Sequence, residues 1–175
     1  MMDTRTRIAA GLERAFAAGG FADPSVEDLR DAAGVSLRTL YKYMPSRADM
    51  VLAALESRHA RYLAHLFDGL PEAPEAALET LIDRVGDWMR TETAHGCLFH
   101  GAVAADPGSS PLREMLRRHK EEVAQRAAVA TGLAGQETEL LIILEGLTQT
   151  WSLQGDAVRG AKRLGHSLRT PEGSA

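Results

Sequence analysis

Only one cysteine, Cys97, occurs in this chain of 175 residues. It excludes an intrachain disulfide and suits a reducing compartment. Aromatic residues are scarce at 5%, and long apolar runs are missing. The longest, Leu140–Leu144, falls far below the roughly 20 residues that span a bilayer. The opening segment, MMDTRTRIAAGLERAF, mixes charge with apolar positions and holds no signal-type stretch. A soluble, cytoplasmic protein is expected. Motifs of enzyme chemistry are missing too: no glycine-rich phosphate loop, no nucleophile elbow, no zinc-protease or deaminase signature. No enzymatic activity and no cofactor are expected. His95, Cys97 and His100 make an H-x-C-x-x-H pattern. Helical spacing puts the first two on different faces and nothing supplies a fourth ligand, so no metal is expected either.

Positive charge is also in short supply. The net charge of −4 argues against a protein that coats nucleic acid generally. The charge is unevenly placed. Residues 1–60 hold eight Lys/Arg against eight acids, and the remaining 115 hold 12 against 16. From Gly34 to Arg47 there are three cations, Arg38, Lys42 and Arg47, and no acid.

That stretch lies in the most informative segment, Pro24 to Met50, PSVEDLRDAAGVSLRTLYKYMPSRADM. Ser25 precedes VEDLRDAA and can cap it, with Asp28 in the capping-box position. Gly34 can take the left-handed conformation that ends the helix. Ser36 caps a second helix, LRTLYKY, which Pro45 stops. Ser46, with Asp49 three residues on, caps a third. Leu29, Ala32, Val35 and Leu40 are spaced to pack the two short helices together, and Ala32 and Ala33 permit close approach. This is a helix-turn-helix followed by a linker helix. Left outward on the second helix are Leu37, Arg38, Thr39, Tyr41, Lys42 and Tyr43. Cations, hydroxyls and rings on a short exposed helix are what phosphate contact and base-edge reading require.

The segment Ile8–Glu56 resembles the N-terminal domain of the TetR family of bacterial transcriptional regulators. The matching features are F-x-x-G-G-F (Phe16, Gly19, Gly20, Phe21), A-A-G-V-S (Ala32–Ser36), T-L-Y (Thr39–Tyr41) and P-S-R (Pro45–Arg47). GCLFHGAVAADP (Gly96–Pro107) and LEGLTQTWSLQGD (Leu144–Asp156) resemble that family's pocket and dimerisation segments more loosely. Met44 stands where an aromatic is usual, and Glu27 where an arginine is often found. The resemblance implies that Tyr41, Tyr43 and Arg47 hold phosphates of double-stranded DNA, while Leu37, Arg38 and Thr39 face base edges. Ser25 and Ser46 would offer helix N-termini to phosphate oxygens, and Ser36 and Lys42 complete the expected DNA-contact set.

The rest of the chain reads as helix, without strand pattern, repeat or low-complexity tract. Leu78, Leu81, Ile82, Val85, Trp88 and Met89 form one apolar stripe at helical spacing. Asp83, Asp87 and Glu92 lie opposite it and read as solvated. D-P-G-S-S-P (Asp106–Pro111) is a firm loop, and the tail from Thr170 reads as disordered. The expected architecture is all-α with about nine helices. An N-terminal helix-turn-helix domain covers residues 1–62, and an effector-binding and dimerisation domain covers 63–175. The helix around ELLIILEGLTQTW is apolar nearly all round, so Leu140, Leu141, Ile143, Leu144 and Leu147 are expected to meet a second copy across a twofold axis. Two recognition helices about 34–36 Å apart would read a palindromic operator. By resemblance, Trp88, Met89, Cys97, Phe99, Met115 and Trp151 line a pocket for a small-molecule effector. Core packing is the competing reading for each. The expected function is a repressor released from DNA by that effector. A constitutive dimeric DNA-binding protein is the alternative.

Overall fold

The computed structural model describes residues 3–92, 96–153 and 155–169. His95 and the tail from Thr170 lie outside them. The described residues form nine helices and no strand. They are α1 Thr4–Gly19, α2 Val26–Ala33, α3 Leu37–Tyr43, α4 Arg47–Phe67, α5 Pro74–Glu92, α6 Leu98–Ala105, α7 Ser110–Thr131, α8 Glu137–Thr150 and α9 Ala157–Ser167. None is long and apolar enough to cross a membrane. The expected all-α architecture is the observed one.

Two compact units divide the chain, one of residues 1–62 with 93–117 and one of 63–92 with 118–175. One boundary between them falls after residue 62, and 93–117 joins the N-terminal unit. The reason is packing. Phe99 and Ala102 of α6 and Leu112 and Met115 of α7 share one apolar cluster with Ile8, Leu12, Phe16, Leu29, Leu40 and Met50. The Met44 side chain is buried in the same cluster, filling the space an aromatic would take.

In the first unit, α1 crosses α2 at Gly11. A Cβ there would lie 2.3 Å from the Ala32 carbonyl oxygen, so the crossing needs glycine on α1 as well as the alanines on α2. The joint between α1 and α4 is polar and buried. Glu13 is 1% exposed and Arg58 4%. Glu13 accepts hydrogen bonds from the Ser57 hydroxyl at 2.8 Å and from Arg61 at 2.6 Å, with Arg58 at 3.5 Å. One buried carboxylate therefore meets two guanidinium groups, Arg58 buried with it and Arg61 partly in water. Arg58, counted among the basic residues of a DNA-binding head, is spent on the fold.

In the second unit, the stripe expected on α5 is buried throughout, from Leu78 to Met89. Gly86 and Gly165 bring α8 and α9 close: a Cβ on Gly86 would lie 2.8 Å from Val158 and 3.3 Å from the Trp151 ring. Over this apolar seam Lys162 of α9 pairs with Glu79 at 2.7 Å and Asp83 at 2.8 Å, both on α5. Asp83, expected to be merely solvated, is an ion-pair partner. Arg84 ties the end of α4 by donating to the carbonyls of Leu66, Asp68 and Gly69.

The helix around Leu144 corrects an expectation. Leu140, Ile143, Leu144 and Leu147 are 0%, 8%, 2% and 2% exposed within the single chain, and Leu141 is half-buried. A body of few helices does enclose this face, because the small residues of α5 and α9 let the neighbouring helices close over it. The apolar side chains of α8 and α9 left in water are others: Ile142 at 66% and Leu164 at 58%, with Leu153 at 74% just after α8.

Candidate nucleic-acid interface

Local chemistry builds the reading head. Asp28 and Ser25 form a reciprocal capping box: the Ser25 N–H donates to the Asp28 carboxylate at 2.8 Å, and the Asp28 N–H donates to Ser25 Oγ at 3.1 Å. Gly34 ends α2 at φ 65°, ψ 39°, the left-handed geometry that glycine adopts without strain. Ser36 Oγ then accepts from the Thr39 N–H at 3.1 Å, starting α3. Ser46 and Asp49 repeat the reciprocal cap at the start of α4, at 2.9 and 3.1 Å. Together these caps set the direction of α3, while Leu40 anchors its inner face.

On the outer face, Arg38, Tyr41 and Lys42 are exposed, and Leu37, Thr39 and Tyr43 half-buried. The Lys42 ammonium lies 5.7 Å from the centroid of the Tyr43 ring, so cation and ring form one patch. The Thr39 hydroxyl is 2.9 Å from Ser36 Oγ, which ties the two into the cap. Arg47 is exposed but not loose. Its Nη2 donates to the Phe21 carbonyl at 2.9 Å, and its guanidinium sits 5.7 Å from the Phe16 ring centroid. That dual anchorage was not visible in the sequence, because Phe21 is 26 residues away.

Two of the three cap serines are already occupied by acids. The Ser25 hydroxyl donates to Asp28 and the Ser46 hydroxyl to Asp49, each at 2.6 Å. These hydrogen bonds hold the Asp28 carboxyl below its ordinary value, the Ser25 hydroxyl contributing most and its backbone N–H next. A phosphate approaching either helix end therefore meets a carboxylate first. Ser36 carries no such acid. Its surroundings are Arg38, Thr39 and Lys42, and the geometry favours α3 as the part that faces an anionic backbone.

Residues 8–54, spanning α1 to the first turns of α4, match the family model described as bacterial regulatory proteins, tetR family. Over those residues the chain is similar to the DNA-binding domain of TetR-family regulators. Its fold over nearly the whole length is likewise that of TetR-family regulators. A TetR-family transcriptional regulator from Streptomyces coelicolor superposes with a TM-score of 0.78 at 19% identity, over 94% of this chain and 87% of that one. A TetR transcription regulator from Haloarcula marismortui gives 0.72 at 18% identity, over 95% and 96%. A curated relative from Lactococcus lactis subsp. lactis, described as an uncharacterized HTH-type transcriptional regulator in the lacX 3′ region, is 20% identical over 143 residues. That match covers 76% of this chain and 72% of the relative. These matches are all to DNA-binding transcriptional regulators.

The six residues expected to line an effector pocket do not fall in one unit. Trp88, Met89 and Trp151 belong to the second, where Trp88 and Met89 are buried on α5 and the His65 ring lies 5.3 Å from the Trp88 ring. Cys97, Phe99 and Met115 belong to the first, Phe99 and Met115 within its apolar cluster and half-buried Cys97 packed against it.

Proposed function

We propose that this regulator is a homodimeric repressor of the cytoplasm that leaves a palindromic operator when a small molecule binds it. The observation that carries the DNA-reading part is the outer face of α3, an acid-free patch of Arg38, Tyr41, Lys42 and Tyr43 on a frame fixed by three serine caps. Arg38 and Leu37 read base edges with Thr39, and Tyr41, Lys42, Tyr43 and Arg47 hold phosphates. One helix of seven residues touches too few base pairs to select a site, so two copies are needed.

The outer side of α8 and α9 supports the second copy. Ile142, Gly146, Thr150, Ala157, Gly160 and Leu164 line an apolar groove of about 390 Å³. Its two glycines have open space where a Cβ would stand, so a partner helix can approach closely. The groove's one charged lining residue is Asp156, which pairs with Arg159 at 2.9 Å. The size of the second unit, which exceeds what dimerisation alone needs, supports a sensing role beside dimerisation. An effector must prefer the arrangement of the dimer that fits the operator badly; a few kcal/mol of preference gives induction by tens to hundreds of times. α4, with 47–62 in one unit and 63–67 in the other, is the lever.

The test combines an operator selected from random duplexes with light scattering. Arg38→Ala should weaken the selected operator by about 1–3 kcal/mol more than random DNA, with a log–log salt slope of roughly −5 for the wild type. Equal weakening of both would remove Arg38 from base reading. Ile142→Glu should convert a dimer at micromolar concentration into a folded monomer, and a monomeric wild type would sink the dimer.

A further inference from the structure

We infer that a groove in the first unit, beside the start of α4, is a binding site for a compact apolar acid, and that Arg47 receives its carboxylate. The groove has a volume of about 300 Å³. It is enclosed by the first turns of α4 (Arg47, Val51, Leu52), the end of α6 (Ala102, Ala105) and the start of α7 (Leu112), with Phe21 alongside. At roughly 30 Å³ per water-sized group, the space takes a body of about ten non-hydrogen atoms. That lies at the small end of ligand sites, and the mainly apolar lining with few polar groups is typical of them.

The sign of the ligand's charge follows from which rim group is preorganised. Two charged residues line the groove, Arg47 and Asp106. The Arg47 guanidinium is held at two points, by the Phe21 carbonyl and over the Phe16 ring. The bond to Phe21 uses one of its five N–H donors, so donors remain in a fixed fork for a planar carboxylate. Asp106 is exposed, and its carboxylate has no comparable anchor among the described residues. A fixed cation over an apolar floor selects an anion with an apolar body, since little further ordering is needed on binding.

The consequence for regulation is direct. Arg47 is also one of the residues proposed to hold a DNA phosphate. A carboxylate and a phosphate compete for the same guanidinium, so the acid lowers DNA affinity without any rearrangement of the dimer. This step rests on the DNA-contact role proposed for Arg47; the binding of the acid does not.

Octanoate, 1-octanol and octylammonium, matched in length at about ten non-hydrogen atoms, test both parts on the full chain. In calorimetric titration octanoate should bind saturably, one per chain, and octanol about tenfold more weakly for want of the charged hydrogen bonds. Arg47→Gln should erase that preference. Ala105→Phe, a change at an exposed position that fills the groove, should weaken octanoate at least about tenfold with the helical circular-dichroism signal intact. Saturating octanoate should also weaken a random-sequence duplex, and Arg47→Gln should abolish the competition. Failure of octanoate to saturate, tighter binding of octylammonium, or unchanged affinity in Ala105→Phe would each overturn the site. Saturable octanoate binding without competition would overturn the regulatory consequence alone. Absence of any DNA binding would instead overturn the proposed function.

Discussion

Two helix joints in this molecule do similar work with opposite chemistry. In the first unit, α1 is fixed to α4 by a carboxylate and two guanidinium groups, with Glu13 and Arg58 out of water. In the second, α5 is fixed to α9 by apolar contact through glycine, and the ion pairs of Lys162 lie over the seam at its edge. A buried ion cluster is strong only while complete, because each member left alone faces a large desolvation cost. Pairs at the edge of an apolar seam can be lost one at a time, since water replaces them. The head that must hold a fixed reading surface is thus built on an all-or-none joint. The body, for which motion is proposed, is built on a graded one.

The largest test of that contrast is Glu13→Leu. It takes a buried carboxylate away from Arg58 and Arg61 and should destabilise the chain by about 3–5 kcal/mol, toward the lower figure because Arg61 stays partly in water. Denaturant melts of this variant beside Lys162→Ala would measure the difference. Lys162→Ala should cost under about 1 kcal/mol, and its effect should shrink further in high salt. Equal losses in the two variants would erase the distinction between the joints.

Alkaline titration sharpens the same comparison. Burial works against the Lys162 charge, but the Asp83 and Glu79 carboxylates outweigh it and raise the group above its ordinary value. A raised lysine stabilises the fold fully below its unfolded value, about 10.4, and stops doing so as pH rises through the folded one. Arginines keep their charge across that range. Both tryptophans, Trp88 and Trp151, lie in the second unit. Raising the pH from about 9 to about 11 should lower the thermal midpoint seen by tryptophan emission more than that seen by backbone circular dichroism.

The smallest expected effect is at low pH. The Asp28 carboxyl is held below its ordinary value by Ser25. Its capping contribution is complete above the unfolded value, about 3.9, and is lost as pH falls through the lowered one. The Glu79 carboxyl behaves alike in the second unit, held down by Lys162 first and His166 second. Acid should therefore loosen both units, and amide exchange in α2 and α5 below about pH 4 should rise together. Exchange rising in α5 alone would show that the Asp28 cap contributes nothing to α2.

What could be read in advance from the chain follows the range of the interaction. Serine caps, Gly34 and Pro45 act within four residues, so α2, α3 and the start of α4 were legible to the residue. The apolar stripe of α5 was legible because a helical period needs no knowledge of the partner. Gly11 was missed, since its role depends on the Ala32 backbone opposite it. Glu13 was missed because its partners are 44 to 48 residues away. The outward face of α8 was misplaced for a related reason. An all-round apolar helix shows that it must be covered, but which residues remain outside depends on where α5 and α9 come to rest.

The caps on either side of α3 bear on how readily this protein can acquire new targets. Ser36, Leu40 and Met44 secure the helix from its ends and its inner face, so Arg38, Tyr41 and Lys42 carry little of the folding free energy. Surface substitutions free of such duties usually shift stability by no more than about 0.5 kcal/mol. Mutational drift can therefore sample new combinations at these three positions while the scaffold stays folded, and operator preference can diverge faster than architecture. A library randomised at 38, 41 and 42 is the laboratory counterpart of that divergence.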